Sequence, residues 1–218
     1  MFETIILGSQ FLSGLLDAVN PENIIKVGGL TVLLLIIFAE TGLFFGFFLP
    51  GDSLLFVAGL YCNNKNIDIH VGLLILLLII AAVSGSTVGY LTGRWAGGYL
   101  ANKKDSFFFK KRYLDITQAF YQKHGMMAFI LGRFLPVVRT FVTILAGMVK
   151  IDMGKFIIFN LLGATIWILT MVLAGFFLGQ LFPWMIEYLE FIVIGMVVVS
   201  AIPVIVTYFK NRNLVPKD

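Results

Sequence analysis

The chain has 218 residues, 59% of them hydrophobic, 15% aromatic and 13% charged, with a formal net charge of +4. That balance excludes an ordinary water-soluble domain and implies an all-α integral membrane protein. One cysteine rules out an intramolecular disulfide and any multi-cysteine metal site, two histidines are too few for the common metal constellations, and neither metal nor cofactor is expected.

In chain order, residues 1–23 form the first unit. Residues 2–19 mix Ile, Leu and Phe with Gly8, Ser9, Gln10, Ser13 and Asp17 before Asn20-Pro21, an amphipathic pattern that predicts an interfacial helix. No basic residue precedes its apolar run, so it does not read as a cleaved signal peptide. Residues 24–180 form the main membrane unit and 181–218 a C-terminal transmembrane helix with a tail. The stretches 27–49, 71–93, 156–179 and 189–209 approach the roughly 20 apolar residues that span hydrocarbon. Residues 126–149 are as long but carry Arg133 and Arg139.

The segment 94–124 holds Arg94, Lys103, Lys104, Lys110, Lys111 and Arg112, a cytoplasmic signature that suits anionic lipid headgroups better than nucleic acid. Within it, residues 105–123 read as an amphipathic surface helix. The tail, with Lys210, Arg212 and Lys217, falls on the same side, as do Lys150 and Lys155. Both ends of 126–149 then lie inside, so this segment must enter and return, and Pro136 marks its break. By the same logic about 40–60, interrupted by Pro50-Gly51, forms a second re-entrant hairpin from the outer side; the rival reading makes Pro50-Gly51 the exit turn of a span over 27–49.

The two hairpins share "LP" at 49–50 and 135–136 and "AG" at 58–59 and 146–147, a weak repeat that opposite entry sides would make inverted. An arm from Glu40 to Pro50, or from Met126 to Pro136, measures about 15 Å as helix, half the hydrocarbon thickness. Gly85, Gly89, Gly93 and Gly97 line one helix face and are read as the seat of a hairpin; such faces permit a homodimer without requiring one.

Glu40, Asp52, Arg133 and Arg139 are the charges inside the apolar stretches. Uncompensated, four would cost about 10 to 14 kcal/mol on insertion scales, so they must be paired, hydrated or partly protonated. Helix breaks free backbone groups that only protein or water can meet, so Pro50, Gly51 and Pro136 mark a polar cavity. Arg133 and Arg139 flank Pro136 and can aim two guanidinium forks at one phosphate. Glu40 and Asp52 suit proton coupling, since a carboxylate in a partly dry site exchanges its proton as an arginine approaches or leaves. The four could instead form two static salt bridges. Asn160 can bond across helices or cap an exposed backbone group, whereas Tyr90, Trp95, Trp167 and Trp184 are read as packing or interface anchors. With no histidine in a span, a serine nucleophile is not expected and the chain is not read as an enzyme.

The runs "FAETGLFFGFFLPGDSLLFVAG", "GSTVGYLTGRWAG", "YQKHG" and "GRFLPVVRTFVTILAGMVKIDMGKFIIFNLLGATIW" resemble the bacterial DedA family, which shares the SNARE-associated or VTT domain, over roughly residues 20–180. In the family's A-G-x-x-x-M pattern the methionine position after Ala146-Gly147 holds Ile151, and Met153 stands later than the usual position. The resemblance implies an inner-membrane protein with two opposed re-entrant hairpins, and the spans and basic tail predict a multi-pass chain with a cytoplasmic C-terminus. It also implies transport of undecaprenyl phosphate or a phospholipid, in some members driven by the proton motive force, with Glu40, Asp52, Arg133 and Arg139 at the family's essential acidic and arginine positions. The expected partners are therefore a phosphate-bearing lipid, bound by Arg133 and Arg139, and protons, carried by Glu40 and Asp52. A proton-coupled antiporter of small cations or drugs, binding at Glu40 and Asp52, is the alternative.

Overall fold

A computed structural model describes residues 21–44, 46, 49–62, 69–100, 127–134 and 136–182, together with 184, 188, 191, 192 and 195. The interfacial helix expected within 1–23, the surface helix over 105–123 and the transmembrane helix at 189–209 lie wholly or largely outside these residues.

Six helices make up the described part: α1 (Pro21–Gly42), α2 (Gly51–Tyr61), α3 (Val71–Leu100), α4 (Met127–Gly132), α5 (Pro136–Met148) and α6 (Met153–Leu181). The stretches Val71–Gly97 of α3 and Met153–Leu181 of α6 are each long and apolar enough to cross a membrane. Leu73, Leu76, Ile80 and Leu91 on α3, and Ile158, Leu162 and Phe177 on α6, are exposed, as suits surfaces facing lipid.

The local chemistry fixes the ends. Gly29 breaks α1 with φ 54° and ψ −152°, a conformation essentially reserved for glycine. The α5 terminus closes with Ile151 N donating to Ala146 O at 3.1 Å and Lys150 N to Gly147 O at 3.0 Å, while Lys150 takes the left-handed φ of 55°. Asp152 then caps α6 by accepting from Lys155 N at 2.9 Å.

Both breaks exist, but their shapes differ from the expectation. The span expected over 27–49 ends as helix at Gly42, and the next helix starts at Gly51. Gly46 folds tightly back, its Cα against the backbone of Ala39 and Glu40. Thus Glu40 sits at the end of α1 and is not at the mouth of a 15 Å arm. In the second half the described helix before the break is Met127–Gly132, about 9 Å of rise, and Pro136 opens α5 where its missing N–H leaves no helical bond unmade.

The packing is reciprocal. In the first half α1 lies on α3, and in the second α4 lies on α6; α2 crosses to pack on α6, and α5 crosses to pack on α3. Paired glycines allow both crossings. On α3, Gly93 and Gly97 meet the backbone of Ile144 and Met148 of α5; on α6, Gly175 meets Phe56 and Gly179 meets Leu60 of α2. The glycine face of α3 thus seats a short helix as read from its spacing, and its upper part, Gly85, also receives α1 at Phe38 and Thr41. Every residue of α2 except Asp52 is buried, so this helix runs inside the protein and is sheltered from lipid. Its core partners include Leu33, Ile37, Leu74, Leu78, Ile168 and Val172.

Candidate functional site

The fold brings all four charges predicted from the sequence to the helix breaks, but the two arginines have different surroundings. Arg139, on the first turns of α5, donates from Nη2 to Glu40 Oε1 of α1 and from Nη1 to Asp52 Oδ1 of α2, the latter at 3.2 Å. One cation therefore joins two carboxylates from two other helices. Two separate salt bridges are not what forms.

Asp52 accepts a further bond at Oδ1 from Trp167 Nε1 at 2.8 Å, and the Trp167 ring lies under the Arg139 guanidinium, 4.2 Å from its centroid to Cζ. Trp167 is thus a member of the site and not merely the packing residue read from the sequence. Within the triplet the side chains of Arg139 and Glu40 are sealed at 1% exposure, while that of Asp52 is 21% exposed. Asp52 is the acid that solvent can reach.

Glu40 fits only because residue 51 is glycine: a Cβ at Gly51 would coincide with Glu40 Oε2. Pro50 N-terminal to it leaves the first-turn bond to Leu54 N, whose donation to Pro50 O measures 2.9 Å. Pro50 and Gly51 therefore shape the site as a unit.

Arg133 lies in the turn between α4 and α5, only 3% exposed, and meets no carboxylate among the described residues. Its Nη2 donates to Ser86 Oγ of α3 at 2.9 Å and to Asn160 Oδ1 of α6. Among the described residues, Arg133 Nη1, Arg139 Nε, Glu40 Oε2 and Asn160 Nδ2 are buried with no hydrogen-bond partner. Asn160 does bond across helices, as its sequence position suggested. Ser86, in the "VSGST" run, joins it as a neutral partner of Arg133.

One face of α6 connects the two clusters. Asn160, Gly163, Ala164 and Trp167 are all buried and follow the i, i+3, i+4, i+7 pattern. That spacing was the signal by which the sequence could have placed Trp167 with Asn160. From Asn160 to Trp167 is about 10 Å of helical rise, which sets the distance along α6 between the two partners of the arginines. Among the described residues no three His, Cys, Asp or Glu side chains gather where they could hold a metal ion.

The arrangement offers an ionic triplet with an excess of negative charge and, beside α6, a sealed arginine with no carboxylate partner among the described residues. If all four groups are ionised the charges sum to zero. An anion at Arg133 would lie in the field of a triplet that, fully ionised, carries one excess negative charge.

Residues 49–177 match the VTT domain. The chain is 40% identical over 182 residues to protein DedA of Escherichia coli strain K12, covering 84% of this chain and 83% of that protein. It is 39% identical over 188 residues to an uncharacterized membrane protein of Mycobacterium leprae strain TN, covering 86% and 83%. It is also 34% identical over 149 residues to the inner membrane protein YqjA of Escherichia coli strain K12, covering 68% and 67%. No solved structure matches significantly.

Proposed function

The chain belongs to the DedA family of VTT-domain membrane proteins, and from that premise we propose that it carries a phosphate-bearing lipid across the bacterial inner membrane, with protons as the coupling ion. Undecaprenyl phosphate or a phospholipid is the cargo this reading favours. The observation that carries it is Arg133, a buried cation without a carboxylate partner among the described residues, set beside the ionic triplet of Arg139, Glu40 and Asp52.

In this reading α1–α2 and α4–α5 are two re-entrant pairs entering from opposite sides, α3 and α6 span, and the C-terminus is cytoplasmic. The reciprocal exchange of α2 and α5 supports it, because a pseudo-two-fold repeat produces that contact pattern. The headgroup phosphate binds Arg133 first, while the lipid tail stays against the apolar outer faces of α3 and α6.

A phosphate monoester brings about one to two negative charges, and uptake of one or two protons by Asp52 and Glu40 balances them. Protonation weakens their hold on Arg139, whose guanidinium then turns to the phosphate with Trp167 still under its face. Release of the protons on the other side restores the triplet and ejects the anion. Because protons and anion then cross without net charge, the pH gradient sets the direction, at about 1.4 kcal/mol per proton and pH unit. A cation antiporter would need carboxylates free for its substrate, and both are engaged by Arg139.

The test is transbilayer movement of undecaprenyl phosphate in proteoliposomes, with and without a pH gradient, for wild type, Arg133→Ala and Arg139→Ala. The reading expects movement that responds to the gradient and is lost in both variants. Equal movement in variants and wild type would remove it.

A further inference from the structure

Asn160 has a donor with nothing to bond among the described residues, and its orientation is not arbitrary. Its Oδ1 accepts from Arg133 Nη2; the amide turned over would set N–H against N–H, so Arg133 fixes Nδ2 as the outward group. The residue is 0% exposed, and Nδ2 has no partner among the described residues. Arg133 Nη1 is in the same condition. Buried donors left unmet are unfavourable, and two of them on touching side chains are a poor way merely to hold helices together.

Covalent geometry limits their separation. Nη1 and Nδ2 are each one bond angle away from atoms that already touch, so they lie within about 7 Å of each other. One phosphate, with an N–H···O bond of about 2.9 Å on each side, bridges that gap. The donors come from different elements, Arg133 from the turn before α5 and Asn160 from α6, and Ser86 of α3 holds the guanidinium from a third side.

We propose that Asn160 is a ligand of the transported headgroup, its Nδ2 and the Nη1 of Arg133 together forming a two-donor cradle for phosphate oxygens. The inference rests on the phosphate-lipid reading and adds to it a neutral residue that selects for phosphate. The charge of Arg133 attracts any anion; a second, uncharged donor at fixed spacing rewards one with several oxygens around a single centre.

Asn160→Asp and Asn160→Ala together provide the test, because the first also neutralises Arg133 and the second removes the Nδ2 donor without adding a charge. A carboxylate there keeps the acceptor for Arg133 and makes it an ion pair, so a purely structural Asn160 tolerates the change. As a ligand it cannot: the donor is lost and the arginine is neutralised. The purified full chain in an uncharged detergent is titrated calorimetrically with dodecyl phosphate and, separately, with inorganic phosphate, and thermal unfolding is followed in parallel. Asn160→Asp is expected to weaken dodecyl phosphate binding at least about tenfold with thermal stability equal or higher, and Asn160→Ala to weaken it by a smaller factor.

Inorganic phosphate binding with the same dependence on Asn160 supports the cradle with free phosphate as its source. Wild-type affinity in Asn160→Ala, or no phosphate binding by the wild type, overturns the proposal. Binding that depends on Asn160 in a protein that moves no lipid keeps the cradle and removes the transporter reading, so the two fail separately.

Discussion

Glu40 Oε2 occupies the position where a side chain on residue 51 would begin. The two residues come from helices on either side of the first break, so the absence of a Cβ at Gly51 is what lets the α1 carboxylate reach Arg139 from beneath α2. Gly51→Ala is therefore expected to push Glu40 off the guanidinium and to destabilise the protein by about 3 kcal/mol, the scale for breaking a buried ion pair. In a Glu40→Ala background the same substitution should cost less than about 1 kcal/mol, since the clash has gone. Thermal unfolding of the four proteins of this cycle in detergent measures the coupling, and additive effects would show that Gly51 serves some other purpose.

Arg139 is the single cation for two acids, so truncating it should be among the most damaging changes. Arg139→Ala leaves Glu40 sealed without a counter-ion and is expected to cost about 3 to 5 kcal/mol, with transport lost. Arg139→Lys keeps the charge but has no fork to span Glu40 and Asp52 and no flat face for Trp167. It should recover most of the stability and less than about a tenth of the transport rate, a split read from unfolding curves and lipid movement in the same preparations. Full transport by the lysine variant would mean that charge alone matters at this position.

The four membrane charges and the two breaks were legible because they interrupt an otherwise apolar text, where each ion carries a cost that demands a reason. Which acid serves which arginine was not. Arg139 finds Glu40 and Asp52 at sequence separations of 99 and 87, and no local pattern encodes such a register. The end of α1 at Gly42 was also hidden, since it depends on Gly42 packing on Gly85 of α3 and on the fold-back at Gly46, both tertiary facts. Trp167 looked like any aromatic in an apolar helix; only its place seven residues after Asn160, with Gly163 and Ala164 between, hinted at a shared inward face.

Trp167 makes two separable contacts, an N–H to Asp52 and a ring under Arg139. Trp167→Phe removes the first and retains an aromatic face, so its expected cost is about 1.5 to 3 kcal/mol, as for a hydrogen bond to a charged group. Trp167→Leu loses both and should cost about 1 to 2 kcal/mol more. Transport should fall in the same order. If the two variants unfold at the same temperature and carry lipid equally, the ring under the guanidinium contributes nothing and the indole N–H is the whole of its role.

The two crossings should fail alike because they are built alike. A Cβ at Gly93 of α3 would run into Ile144 O of α5, and one at Gly175 of α6 into Phe56 O of α2. Neither carbonyl belongs to a flexible side chain that could move aside, so a whole helix must retreat. Gly93→Ala and Gly175→Ala are each expected to cost about 2 to 3 kcal/mol, within the range for overpacking a tight interior. Gly195→Ala, where nothing among the described residues lies within 4 Å, should be silent. A helix that retreats also carries its charge with it, α5 moving Arg139 and α2 moving Asp52, so both seam variants should lose transport although neither touches a charged residue. Matched losses of thermal stability and lipid movement, against an unaffected Gly195→Ala control, are the expected outcome. A large effect at one seam and none at the other would show that only one of the two short helices holds the site together.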